Sequence, residues 1–334
     1  MGRYGVYRKP SLPPISMYLF ALAPFLAAAL WGGLYVVSKW GFDAVPPLTL
    51  AFVRVAIGSL ALMIVVRVTY PSREFTRRDL LAFSALGVAV AASIATQFLG
   101  TDLTTASEGS LITVLTPVFT VLLGITILGE RITGRLLVGI ALATVGTVVV
   151  LSGQHDLTQL AGAARTGVVM LLVASATWAI YTVWGKPLIE RYSALETAAY
   201  SSAVAVPALA LLVPYEMATT GFSPLAVDLT PGLVVAILYL GLGGTAAAWY
   251  LWYKGMEYVD ASVVSAFFFA QPVVGAAFGA LFLGEQLGSR FVLGGLVMAI
   301  GVYLVATTSS APAEADSSDS IEDSREVERA VQSD

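Results

Sequence analysis

Few residues in this chain could do chemistry, and they stand within long apolar runs. Cysteine is absent and histidine occurs once, as His155. Thiolate sites, histidine-rich metal sites and cysteine- or histidine-based catalysis therefore lack their parts. There is no Gly-x-x-x-x-Gly-Lys-Ser/Thr run to cradle a nucleotide phosphate. What remains suits hydrogen bonding rather than bond breaking: Gln271 directly before Pro272, Thr116 directly before Pro117, and Gln97 and Thr113. A proline removes one backbone donor and frees a carbonyl in the preceding turn. In an apolar medium that carbonyl must be met within the protein or by a cavity. Thr113, Thr116 and Thr120 recur at steps of three and four, which makes one polar stripe on a helix. Such a stripe donates to a bound molecule or to its own helix's carbonyls. Gln271 and then Gln97 are the leading polar candidates for ligand contact, with bonding between helices as the alternative.

Aromatic residues form the second set. Trp31 and Tyr35 share one helical face, as do Trp178 and Thr182 with Tyr181 beside them, and Trp249 and Tyr253 share a third. As cavity walls they would bind apolar or cationic ligands. Otherwise they are packing or an interfacial belt, the belt being the better reading for most of the Trp249–Tyr253 group, with one or two reaching the cavity. Arg54 lies about two turns inside a span, close enough to its end to snorkel. Glu108 opens another span on the same side. The two are candidates for an ion pair or for proton coupling, and a headgroup or loop position competes for Glu108.

The elements that position these residues follow from composition. Hydrophobic residues make up 57% of the 334, and charged residues only 12%, where soluble domains carry about 25%. Repeated apolar stretches of about 18 residues or more point to an all-α integral membrane protein. We draw ten spans: Met17–Trp40, Pro47–Val68, Leu80–Gly100, Ser107–Leu128, Leu136–Leu151, Gly167–Ile189, Ala194–Pro214, Gly232–Lys254, Ala261–Leu283 and Phe291–Thr307. Basic residues collect on one side: Arg3, Arg8 and Lys9, then Arg67, Arg73, Arg77 and Arg78, then Arg131 and Arg135, then Lys186, Arg191 and Lys254. Both termini are therefore expected in the cytoplasm, in a multi-pass cytoplasmic (inner) membrane protein. The acidic, serine-rich segment 309–334 reads as a disordered cytoplasmic tail. Residues 1–16 read as a cytoplasmic lead-in.

The body is duplicated. Pro117 to Glu130 recurs as Pro272 to Glu285 at the same spacing, and Arg135, Gly139 and Gly146 recur at the same offsets as Arg290, Gly294 and Gly301. Trp31 and Lys39 likewise match Trp178 and Lys186. The two units are expected at 17–151 and 167–308. Five spans each is an odd number, so the second unit enters the membrane inverted, the arrangement that suits alternating access. Pro117, Pro272, Glu130 and Glu285 are expected to be structural, the glutamates holding the turn and the free amides of the helix that follows.

Leu30-Trp31-Gly32, Lys39, Arg54 and the Pro117–Glu130 and Pro272–Glu285 signatures resemble the EamA family of the drug/metabolite transporter superfamily, over about Phe20 to Leu304. The resemblance implies ten helices, a central cavity between the repeats, and secondary transport, often export, of amino acids or other small metabolites. Scarce mid-span charge argues against strongly anionic cargo and favours, as the alternative, hydrophobic or cationic drug-like compounds. A membrane enzyme would need clustered nucleophiles, bases or metal ligands that the spans lack, and a non-transporting signalling protein would have no evident use for the inversion. The expected partners are a small-molecule cargo, the lipid bilayer and, as a candidate, a second copy of the chain. No cofactor and no metal is called for, and a barely basic body gives nucleic acid no purchase.

Overall fold

In the computed structural model the described residues are 14–128, 134–154, 163–257, 264 and 267–308. They are helical, with short connections and no strand among them. The helices are α1 (Pro14–Gly41), α2 (Pro47–Thr69), α3 (Arg77–Asp102), α4 (Ala106–Ile112) and α5 (Thr116–Leu128), followed by α6 (Gly134–Gln154) and α7 (Ala163–Arg191). Then come α8 (Ala194–Ala210), α9 (Val213–Thr220), α10 (Pro231–Leu238), α11 (Ala248–Met256), α12 (Ala270–Leu283) and α13 (Ser289–Thr308). A 3-10 turn, Thr113–Leu115, joins α4 to α5, and a π segment, Tyr239–Ala247, joins α10 to α11.

Seven helical stretches are long and apolar enough to cross a membrane, and Leu137–Val150, Gln271–Leu283 and Ser289–Gly301 are shorter apolar helices. Large apolar side chains such as Val68, Leu81 and Leu281 are exposed on the outer faces, as expected where lipid replaces water as the solvent. Starts are set by capping: Thr76 with Asp79, Thr105 with Glu108 and Ser193 with Glu196 each form a reciprocal capping box. The stretch expected as one span from Ala194 to Pro214 lies within a single apolar helical stretch, Ala194–Thr220. It is interrupted after Ala210, where Pro214, at a helix-starting position, opens the short α9. Of the span expected at Ala261–Leu283, residues 261–263 and 265–266 lie outside the described residues, as do Glu130 and His155.

The packing is exchange-symmetric. α6 packs on α13, and α2 on α8, each pair being repeat equivalents. α3 packs on α7, and its mirror, α11 on α1, is also formed; α1 packs on α12, and its mirror, α5 on α7, likewise. The contacts at the helix ends show that the second unit is inverted. Lys39, near the end of α1, donates to the carbonyls of Thr101, Asp102 and Thr104 at the C-terminal end of α3. Arg191, at the end of α7 just beyond Lys186, pairs with Asp79 at the N-terminal end of α3 at 2.7 Å. α3 has 26 residues and is about 39 Å long. The matched ends of the two units therefore lie at opposite poles, called here the Lys39 end and the Lys186 end.

Candidate functional site

Between the units lies a small cavity of about 30 Å³. The first unit contributes Trp31 and Tyr35 from α1, Arg54 from α2, Ser93, Ile94 and Gln97 from α3, Thr113 from the 3-10 turn and Thr116 from α5. The second contributes Ala174, Ser175 and Trp178 from α7, Trp249 from α11, Phe268 and Gln271. The repeat-matched positions Trp31 and Trp178, and Thr116 and Gln271, thus meet around one space. Ligand pockets run to about 300–1,000 Å³, so the space in this structure is about one-tenth of that or less.

A hydrogen-bonded knot centres on the Tyr35 hydroxyl, which is fully buried. It is hydrogen-bonded to Thr113 Oγ1 at 2.7 Å and accepts from the Gln97 amide. Gln271 Nε2 donates to Thr113 Oγ1 at 2.7 Å and to the Ser110 carbonyl at 3.1 Å. These bonds tie α1 and α3 to α12 across the unit boundary. The rest of the threonine stripe serves its own helix: Thr116 Oγ1 donates to the Thr113 carbonyl and Thr120 Oγ1 to the Thr116 carbonyl. Thr113 is the residue whose carbonyl Pro117 would have bonded in an unbroken helix. The backbone N–H and the hydroxyl of Thr116 together replace the missing donor.

The aromatic residues form a packed wall. Trp31 meets Trp178 edge-on with centroids 5.3 Å apart and stacks on Phe268 at 5.6 Å, and Trp178 lies 5.9 Å from Trp249. The belt expected for the Trp249–Tyr253 group is not formed. Trp249, Trp252 and Tyr253 are all fully buried, because their rings pack on Trp31 of α1 and on Trp178 and Tyr181 of α7. Tyr181 and Tyr253 stand behind the cavity wall. The Tyr181 hydroxyl lies 3.3 Å from Ser201 Oγ, and the Tyr253 ring packs on Tyr181 at 5.1 Å.

Arg54 differs most from expectation. It is buried to 1% exposure rather than snorkelling, with its guanidinium 4.9 Å over the Phe98 ring. Its Nε and Nη1 have no hydrogen-bond partner, and the ion pairs among the described residues do not include it. Its side chain turns inward because α2 is covered by α3, α8 and the π segment. Glu108, for its part, is fully buried rather than in a loop or headgroup layer. It accepts from the Thr105 amide at 3.1 Å within the capping box, where the free amides of α4 favour a carboxylate.

Glu285 also departs from expectation. It accepts from the amides of Ala106 and Ser107, at 2.8 and 3.0 Å, and from the Ser107 hydroxyl. It caps the start of α4 in the other unit, not the helix that follows it. At the Lys186 end, Arg73 holds Glu196 at 2.7 Å, and that hydrogen bond raises the Arg73 pKa further above its ordinary value.

Several lining residues carry little sequence signal. Ser93 Oγ donates to the Ala174 carbonyl at 2.9 Å and joins α3 to α7, but one serine in an apolar run marks nothing by itself. Phe268 could have been found from its place in the Phe267–Phe269 run just ahead of Gln271.

Residues 16–152 and 165–307 each match the EamA-like transporter family. A chain from Archaeoglobus fulgidus described as an uncharacterized transporter is 28% identical over 84% of this chain and 96% of its own length. A probable amino-acid metabolite efflux pump of Escherichia coli (strain K12) is 28% identical over 84% of this chain and 92% of its own. A probable terminal-alkyne amino-acid exporter of Streptantibioticus cattleyicolor is also 28% identical, over 84% and 91%. A solved crystal structure at 20% identity aligns with a TM-score of 0.64 over 89% of this chain and 99% of its own, which is a likeness of fold.

Proposed function

The chain belongs to the EamA-like transporter family, and from that membership we propose that it exports an amino acid or a related small metabolite by alternating access. It is a multi-pass membrane transporter; the cargo class, the direction and the mechanism are our reading. The observation that carries it is the closed cavity walled by matched positions of two inverted units, since exchanging the conformations of such units exchanges the open side. The names of the relatives from Escherichia coli and Streptantibioticus cattleyicolor support an amino-acid cargo. The bias of basic residues supports a cytoplasmic membrane location with both termini inside, which makes the Lys186 end cytoplasmic. Trp31, Tyr35, Gln97, Thr113, Thr116, Trp178, Trp249 and Gln271 are the proposed cargo contacts, with Tyr181 and Tyr253 supporting from behind.

The aromatic wall favours a second reading, export of hydrophobic drug-like compounds; a cation is disfavoured by Arg54 in the same cavity. Counterflow separates the two. Proteoliposomes loaded with one unlabelled amino acid are given its labelled form, and accumulation is expected for part of an amino-acid panel. Gln271→Ala, which removes the bonds joining α12 to Thr113, should lower that uptake about tenfold or more. No counterflow by any amino acid in folded protein, with uptake of lipophilic compounds instead, would replace the first reading with the second.

A further inference from the structure

The cavity holds a surplus of hydrogen-bond donors. Arg54 Nε and Nη1 and the indole nitrogens of Trp178 and Trp249 are all buried without a partner among the described residues, and all three side chains line the cavity. Guanidinium and indole N–H groups donate and cannot accept. Leaving such groups unmet in a low-dielectric interior is costly, and a lone cation within a membrane span is costlier still. Natural chains retain that cost where a ligand relieves it. No described residue that lines the cavity is acidic. The ion pairs Arg73–Glu196, Arg191–Asp79 and Lys254–Glu257 spend their charges at the ends of helices instead. The Phe98 ring covers one face of the Arg54 guanidinium, so a partner must approach its edge, where the paired N–H groups suit a carboxylate.

We propose that this cavity selects its cargo by a carboxylate, with Arg54 as the anchor and the Trp178 and Trp249 indole N–H groups as flanking donors. The proposal rests on the transport reading for its setting and names the group that reading leaves open. It assigns the apolar part of the cargo to Trp31 and Phe268, whose stacked rings offer no hydrogen bond on their faces. A single cation suits a monoanion, so doubly charged phosphate esters are poorly matched. Decarboxylated amines are rejected outright, since they would bring a positive charge to Arg54.

The test uses the purified full chain in detergent, with melting temperature read against ligand concentration. The probes are L-phenylalanine, 3-phenylpropanoate, which keeps the carboxylate and lacks the amine, phenethylamine, which keeps the amine and lacks the carboxylate, and inorganic phosphate. L-Phenylalanine and 3-phenylpropanoate should stabilise the protein, whereas phenethylamine and phosphate should not. Arg54→Gln should weaken carboxylate binding by roughly 100-fold. Trp178→Phe and Trp249→Phe, which remove the indole N–H and keep a ring, should weaken it about three- to tenfold each. Equal stabilisation by phenethylamine, stabilisation by phosphate alone, no response to either carboxylate, or unchanged affinity in Arg54→Gln would each overturn the anchor. The comparison of probes on the unaltered chain decides the matter even if Arg54→Gln fails to fold. Carboxylate binding without counterflow would keep the anchor and remove the transport reading, while counterflow that ignores the carboxylate would do the reverse.

Discussion

At the scale of the residue, the chain spends its polarity unevenly. The Tyr35, Thr113, Gln97 and Gln271 side chains satisfy one another, while Arg54 keeps two buried nitrogens unmet. A buried donor without a partner costs about 1–3 kcal/mol, and more when charged. An anchor of this kind should therefore lower the stability of the empty protein. Arg54→Met keeps an unbranched side chain and removes the charge, and it should raise the stability of the cargo-free protein by about 1–3 kcal/mol. Thermal unfolding in detergent without added ligand checks this; a fall in melting temperature would mean that Arg54 is structural. The two glutamines and the aromatic pairs were legible in the sequence because polar amides and paired tryptophans are conspicuous in apolar runs. The inward course of Arg54 was not. Depth along a span says only that a long side chain can reach the end, and the helices that close over α2 come from distant sequence.

At the scale of the element, the repeated glycines decide how closely α6 and α13 approach. A methyl group added at Gly294 would stand 2.7 Å from the Gly146 carbonyl oxygen and 2.8 Å from the Val150 amide nitrogen, whereas one at Gly295 would meet only Leu111 Cδ1 at 3.9 Å. Backbone cannot give way as a side-chain tip can. Gly294→Ala should therefore destabilise by about 1–3 kcal/mol through overpacking, and Gly295→Ala should be neutral or stabilising by up to about 1 kcal/mol through helix propensity. Paired melting curves of the two neighbours check this, and equal effects would refute the close contact. The spacing of Gly139 and Gly146 with Gly294 and Gly301 announced this face in the sequence. The π segment did not announce itself. Tyr239–Ala247 is read as ordinary helix from composition, yet Thr245 Oγ1 bonds the Leu240 carbonyl five residues back, and Trp31 Nε1 bonds the Gly244 carbonyl at 2.9 Å. Partners from α1 and α2 stabilise a widened turn that local propensity does not specify.

At the scale of the whole molecule, both ends of the cavity are latched across the unit boundary, and the latches differ in strength. At the Lys39 end Glu285 caps α4, and Glu216 accepts from the amides of Leu48 and Thr49 at 2.8 and 2.7 Å and so caps α2. Carboxylates on helix amides are charge-assisted bonds, and Glu216 is buried to 4% exposure. Among the described residues the latches at the Lys186 end are Arg73–Glu196 and Arg191–Asp79, whose carboxylates are buried but whose arginine side chains are 39% and 50% exposed. Solvent screens the arginine side of each pair, so these half-exposed pairs hold less firmly than the caps at the other end. The Lys186 end should therefore open first, which suits an exporter that takes cargo from the cytoplasm. Holding the Lys39 end shut should then block flux without blocking entry. The chain has no cysteine of its own, so Ser107→Cys with Glu285→Cys can be bridged cleanly by a short, reducible bifunctional methanethiosulfonate. Bridging should abolish counterflow while leaving ligand-induced thermal stabilisation in place, and dithiothreitol should restore the flux. Counterflow that survives the bridge would mean that α4 and the Glu285 turn do not separate during transport, and the alternating opening of two inverted units would have to be abandoned.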